Sequence, residues 1–383
     1  MRIAIIGLGV LGASAARALA LGGAQVTVFE RTAPGAGTTG TSYGWINSHR
    51  KSPRAYHELN VAGMAEHDAL WEPGCAWYVR SGSLEWAADD PGRERLAASV
   101  ARLRGYGYPL ETITTARAAE LAPDLLIPPD VTELVWYPGE GYAEPIALLA
   151  RLWSEARDHG AELRCPAEVL AVQPVGNGAM VHSKGCAAER FDRVVLAVGR
   201  WTGQLTESIE PAVPMVPPED PASPGLLVDI APLPVRVPLP VITPELNLRP
   251  DGAGRLLLHA LDLNACATDG ELSEPDEAFV GEVLRRLRDL VRGGEYARID
   301  RVRLGLRSLP ADGHTVAGTD ASGGIYILAT HSGVTLGPLL GRLAAQEILS
   351  DRPVPELRDF RPDRFIEATT FATPAPARHA GEQ

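Results

Sequence analysis

The run "RIAIIGLGVLG", residues 2–12, constrains this chain more than any other stretch. A short apolar strand stops at Gly7, and Gly7, Gly9 and Gly12 form G-x-G-x-x-G ahead of an alanine-rich helical stretch that ends at Gly22 and Gly23. A second strand, "AQVTVFE", closes at Glu30, completing a βαβ unit. The glycine spacing has a physical cause. The first makes the tight turn, the second lets backbone approach a pyrophosphate, and the third allows close packing of the helix. The helix that begins at Val10 and Leu11 offers unpaired N–H groups and a positive dipole end to phosphates. Glu30 is placed to accept from a ribose hydroxyl, and Arg31 follows it. The unit predicts dinucleotide binding.

At 383 residues the chain suits about two domains or one large composite domain. A formal charge of −12 works against nonspecific attraction to nucleic acid or anionic membranes. No run of about 18 apolar residues is present to span a bilayer, and the chain enters a strand at once, without an export signal. A cytoplasmic location is therefore expected. Cys75, Cys165, Cys186 and Cys266 are widely spaced and form no CxxC pair, so neither a metal site nor a disulfide scaffold is indicated. The only lysines are Lys51 and Lys184.

Beyond the first unit lies a glycine- and threonine-rich loop, "RTAPGAGTTGTSYGW", and then a helix expected over 55–71. A strand is expected at "WYVRSGSLEWA", a helix over 91–105, and an amphipathic helix in "EPIALLARLWSEARDHGAEL". Short strands follow at 168–173, 179–183 and 193–198. After a proline-dense stretch at 210–225, "LLVDI", "RVPLPVI", "ELNLRP" and "RLLLHAL" suggest an antiparallel sheet, followed by the helix "DEAFVGEVLRRLRDLV". The strand "RVRLGLRSLPADG" sets Arg301, Arg303 and Arg307 on one face and Val302, Leu304 and Leu306 on the other. Alternation alone leaves two readings, a solvated stripe or an arginine at the strand end that waits for an anion. A final strand and helix are "GIYILA" and "LGPLLGRLAAQEIL", and the tail from 371 is expected to be disordered.

A nicotinamide dehydrogenase would continue with further alternating units. Here a polar loop follows at once and the α/β pattern resumes only after a mixed insertion, a layout closer to a flavin domain. The ordered motifs "IIGLGVLGASAARALALGGAQVTVFER", "TTGTSYGWI", "GYAEPIALLARLWSEARDHGAEL", "FDRVVLAVGRWT", "GLRSLPADGHTVAG" and "GIYILATHSGVTLGPLLGRLAA" together resemble the FAD-dependent amine and amino-acid oxidoreductases of the D-amino acid oxidase, glycine oxidase and sarcosine oxidase group. The resemblance covers residues 1 to about 352. Ser308 stands where that group commonly has proline, and Val334 where it often has glycine.

The resemblance implies an α/β fold: an FAD-binding Rossmann-like domain with a central parallel sheet, from 1–75, 140–210 and 300–365, and a discontinuous α+β substrate domain with an antiparallel sheet, from 76–139 and 211–299. It implies oxidation of a C–N bond in an amino acid or N-substituted amino acid by hydride transfer to flavin N5, giving an imine, with O2 or another carrier as acceptor. Noncovalent FAD is expected, because no cysteine lies near the arginine strand; His49 leaves a histidyl link open. Cofactor contacts fall on Gly7, Gly9, Val10, Leu11, Gly12, Glu30, Arg31, Thr41, Ser42, Val169, Gly199, Trp201, Gly305, Ser332, Gly333, Val334 and Thr335. Substrate chemistry falls on Arg307 as carboxylate clamp, with His259, His331 and the basic pair Arg50 and Lys51 beside the ring. Tyr43, Trp45 and Trp201 are candidates for the pocket wall. The closing helix is expected to start near Gly337 with its positive end toward the flavin. The alternatives are an NAD(P)-dependent dehydrogenase and a flavin-bearing subunit that depends on a partner chain; an oligomer is compatible with either.

Overall fold

The computed structural model describes residues 1–266, 276–367 and 371. The expected disordered tail therefore lies, Phe371 apart, outside the described residues. Among the described residues, a six-stranded sheet runs in the order Val316–Thr319, Ile325–Ala329, Arg193–Leu196, Arg2–Ile6, Gln25–Phe29 and Glu162–Arg164. All its neighbours are parallel except the first pair. Strands buried on both faces need apolar side chains at every buried position, and residues 3–6 of Arg2–Ile6 supply them, Arg2 standing exposed at the strand's start. Ile3 and Ile5 join the core under the helices, while Ala4 and Ile6 join the core on the opposite face.

The first helix, Val10–Leu21, lies against the closing helix, Gly333–Ser350. Close approach is possible because Gly337 and Gly341 meet Val10 and Ser14; a Cβ on Gly341 would stand 2.4 Å from the Ser14 carbonyl carbon. The closing helix starts at Gly333 rather than near Gly337, and Pro338 is inside it.

An eight-stranded sheet has the order Ile299–Leu306, Pro224–Ile230, Leu256–His259, Asn247–Pro250, Val241–Ile242, Ser83–Glu85, Glu133–Tyr137 and Glu111–Thr114. It is antiparallel except where Val241–Ile242 meets Ser83–Glu85. Period-two alternation divides its faces. Leu226, Val228, Leu256 and Leu258 pack under the helix Glu277–Leu290, whose Phe279, Val283, Leu287 and Leu290 repeat at helical spacing. The intervening Gly225, Leu227, His259 and Gly305 line a cavity on the other face.

Several expectations change. The stretch "WYVRSGSLEWA" is not one strand: Tyr78–Val79 joins a small sheet with Trp45–Ile46 and Gly141–Ala143, whereas Ser83–Glu85 joins the eight-stranded sheet. Gly82, at φ +73, turns the chain between them. In "RVPLPVI" only Val241–Ile242 pairs, because Pro238 and Pro240 cannot donate to a ladder. The arginine strand Ile299–Leu306, expected among the cofactor-binding segments, pairs within the eight-stranded sheet. No helix among the described residues is long and apolar enough to cross a membrane.

Candidate active site

The glycine turn forms as its spacing requires. Gly7 adopts φ +95, and a Cβ there would lie 2.6 Å from the Ala197 carbonyl oxygen. Gly12 sits beneath, where a Cβ would stand 2.0 Å from the Gly7 carbonyl oxygen. Side chains fix the turn from both sides: Leu8 N donates to Glu30 Oε2 at 2.9 Å, and Val10 N donates to Thr39 Oγ1 at 3.1 Å. The other Glu30 oxygen accepts from Thr32 N at 2.9 Å.

This turn borders a cavity of about 530 Å3. Its wall includes Glu30, Arg31 and Val169 from strand ends, Gly199 and Trp201 from the turn after Arg193–Leu196, and His331, Gly333 and Val334 from the start of the closing helix. Trp201 is flanked by Arg31 and Arg200, each with its guanidinium carbon 4.3 Å from a ring centroid. Of the expected cofactor contacts, Gly7, Gly9, Val10, Leu11, Glu30, Arg31, Ser42, Val169, Gly199, Trp201, Gly333 and Val334 line this cavity. Gly12 supports it from below. Thr41, Gly305, Ser332 and Thr335 instead line a second, smaller cavity of roughly 120 Å3.

The smaller cavity brings together Arg307, Lys51, His259 and His331 with Tyr43, Trp45 and Asn47. Thr38, Ser42, His331 and Val334 belong to both walls, so the two cavities adjoin. Arg307 leaves the strand and folds back: its Nη1 donates to the carbonyls of Ala222 and Pro224, both at 2.8 Å. Burial draws its pKa down to about 10, which leaves it charged at neutral pH. No carboxylate pairs with it among the described residues. Burial, with Arg307 adding to it, lowers His259 to about 3. Burial also holds His331 well below its usual range, followed by the charges of Arg307, Lys51 and His259. Both imidazoles are neutral at pH 7. Lys51, 3% exposed, is lowered by burial to about 7 against the opposing pull of Glu140. Tyr43 Oη, Trp45 Nε1, Asn47 Oδ1, His259 Nε2 and His331 Nδ1 have no hydrogen-bond partner among the described residues. Each such buried atom costs on the order of 1 to 3 kcal/mol, which favours a polar ligand here.

Two expected site residues turn elsewhere. Arg50 lines neither cavity and pairs with Glu85. His49 lines neither cavity. Fully buried, it stacks on Tyr137 at 4.0 Å, with Nδ1 2.8 Å from Glu140 and Nε2 3.1 Å from Glu85. Burial opposes its protonation, but the two glutamates outweigh burial and raise its pKa.

The sequence reading missed Thr39, Thr38, Asn47 and Gly225, and also His67. Pro338 lacks the N–H that would bond Val334 O one turn back. His67 Nε2 takes its place, donating to Val334 O at 2.9 Å. Burial lowers His67 to about 4, so the neutral ring keeps this role. Pro338 resembles a first-turn proline, which explains the expectation of a late helix start; no local pattern announces a histidine partner so far away in the sequence.

Residues 2–347 match the family described as DAO, FAD dependent oxidoreductase. The chain belongs to this family. The glycine oxidase of Geobacillus kaustophilus is 24% identical over an alignment covering 95% of this chain and 97% of that protein. Its crystal structure superposes with a TM-score of 0.81, covering 94% of this chain and 98% of that one. The L-proline dehydrogenase from P. horikoshii, 20% identical, gives a TM-score of 0.81 over 95% and 97% of the two chains. The iminodiacetate oxidase from Chelativorans sp. BNC1, 23% identical, gives 0.78 over 94% and 99%. As a DAO family member the chain is an FAD-dependent oxidoreductase, and the nicotinamide alternative is set aside. The residues present fit FAD: Gly7 and Gly9 bring bare backbone to the wall of a cavity of dinucleotide size, packed too closely on Ala197 and Thr39 to carry side chains freely, and the helix N-terminus opens beside them.

Proposed function

We propose that this chain oxidises the C–N bond of a small amino acid or N-substituted amino acid to an imine, which water then hydrolyses. The observation that carries the reading is Arg307, a guanidinium bonded to two carbonyls and without a carboxylate partner among the described residues, set in a cavity that shares its wall with the cofactor cavity. A sunken arginine is costly unless an anion meets it, and its planar fork suits a carboxylate. Glycine, proline and iminodiacetate, named for the similar proteins above, each join an amine nitrogen to a carboxylate-bearing carbon.

Bound FAD supplies the two-electron acceptor for the hydride. The chain's own residues orient and shield the donor. Arg307 holds the carboxylate, Leu227 and Trp45 restrict water, and neutral His259 and His331 present ring nitrogens without adding charge. The start of the closing helix directs its positive end at the junction of the cavities. The six-stranded sheet serves as the cofactor-holding part and the eight-stranded sheet as the substrate-holding part. FAD is held noncovalently, a reading supported by Cys75, Cys165, Cys186 and His49 lining neither cavity. Either O2 or a carrier takes the electrons onward.

The test is anaerobic bleaching of the bound flavin by glycine, sarcosine, proline, D-amino acids and simple amines, followed by a peroxide assay on admitting air. Carboxylate-bearing amines are expected to bleach the flavin and simple amines to fail. Bleaching by simple amines alone would overturn the reading.

A further inference from the structure

Resting on the amino-acid reading above, we infer that Gly225 admits the donor's carboxylate, which lies in the space beside Arg307 Nη2 that any side chain at 225 would enter. Gly225 is thereby a specificity-determining residue of the smaller cavity.

Two glycines face each other across the eight-stranded sheet, Gly225 of Pro224–Ile230 and Gly305 of Ile299–Leu306, and both line that cavity. The fold accounts for one of them. A Cβ on Gly305 would stand 2.8 Å from the Thr41 carbonyl oxygen and 3.0 Å from Thr41 Oγ1, so the loop that carries Thr41 packs onto bare backbone there. A Cβ on Gly225, its chain neighbours apart, would meet nothing closer than 3.5 Å, an ordinary contact. Gly225 also keeps the backbone of a strand, outside the left-handed region that favours glycine. Period-two alternation aims position 225 into the cavity: Leu226 and Val228 join the apolar core, whereas Leu227 lines the cavity with Gly225. Glycine weakens a strand interior. Where neither backbone conformation nor crowding calls for it, it marks a place where another group approaches closely.

The group that a side chain at 225 would meet first is Arg307, with Nη2 at 3.5 Å and Cζ at 3.8 Å from the Cβ position. Nη1 is engaged, donating to the carbonyls of Ala222 and Pro224, while Nη2 donates to no described residue. The two carbonyls thus turn the guanidinium so that its unengaged nitrogen sits over bare backbone. They satisfy hydrogen bonds without neutralising the charge. A carboxylate that reaches Nη2 does both, and a methyl group at 225 would cover that nitrogen.

The test is the binding of acetate to the FAD-loaded protein, read from the flavin spectrum, with anaerobic reduction by sarcosine and glycine. Gly225→Ala is expected to raise the acetate Kd about tenfold and Gly225→Val about a hundredfold, the range over which small apolar groups act in a pocket. The efficiency of reduction by sarcosine should fall by similar factors. FAD content should stay the same, because Gly225 lines the smaller cavity and not the larger. Gly225→Ala should also unfold at no lower temperature than the unsubstituted chain, because a Cβ has room. Unchanged acetate affinity and sarcosine efficiency in Gly225→Ala overturn the assignment. So does a Gly225→Ala chain that fails to fold or melts earlier, since the glycine is then structural; should valine alone disturb the fold, Gly225→Ala decides. If the unsubstituted protein neither binds acetate nor is reduced by sarcosine or glycine, the amino-acid reading falls, and the role of Gly225 with it.

Discussion

The guanidinium of Arg303 donates to the carbonyl oxygen of Gly40 at 2.7 Å, while Asp229 grips its other nitrogens at 2.7 and 2.8 Å. One arginine thus ties the eight-stranded sheet to the loop that carries Thr39, the partner of Val10 N at the glycine turn. Arg303→Met leaves Asp229 and Gly40 short of a donor, and a loss on the order of 1 to 3 kcal/mol is expected. Part of it should appear as weaker FAD retention. Equilibrium dialysis of the cofactor checks this; unchanged affinity would confine Arg303 to sheet stability.

Replacing Arg307 by Lys or Met should raise KM for a carboxylate donor strongly, with a loss on the order of 2 to 5 kcal/mol for a desolvated charge pair. FAD content should stay the same, because Arg307 lines only the smaller cavity. Steady-state kinetics with a flavin absorbance measurement separate the two effects. Unchanged kinetics would make Arg307 a structural residue.

His67, Pro338 and Val334 form a unit that a double-mutant cycle can read. His67→Phe strands the Val334 carbonyl beside the cofactor cavity and should cost on the order of 1 to 3 kcal/mol in denaturant unfolding. Pro338→Ala restores an N–H within the helix. In the His67→Phe background it should recover part of that cost, and additive effects would refute the substitution of one donor for another.

The pH dependence of stability follows from buried neutral histidines. His259 and His67 titrate near 3 and 4 in the fold and near 6.5 when unfolded. Their depressed values leave stability complete above pH 6.5 and remove it as pH falls toward 4, by about 1.4 kcal/mol per pH unit for each group. His49, raised by its two glutamates, acts with opposite sign: its contribution is present below pH 6.5 and fades as pH rises through its folded value. Thermal unfolding at pH 4.5 and 7 should show a smaller decrease for His259→Asn than for the unsubstituted chain.

The glycine turn, Glu30 and the alternation of the arginine strand were legible because each is a local pattern, set by neighbours a few residues away. Alternation gave the side of the sheet on which Arg307 begins, but not that it folds back onto Ala222 and Pro224. The distinction between Arg50 and Lys51 was illegible, since Glu140 and Arg102 fix which of the two reaches the cavity. Thr39 and His67 act across 29 and 267 residues, and no spacing rule relates such partners. The cofactor contacts divided between two cavities for a similar reason: Thr41 and Gly305 meet only through tertiary contact.

Thr38, Ser42, His331 and Val334 stand in both cavity walls. Whatever fills the larger space becomes a boundary of the smaller one. A donor should bind more tightly once the cofactor is in place, and the cofactor should be slow to leave while the donor is seated.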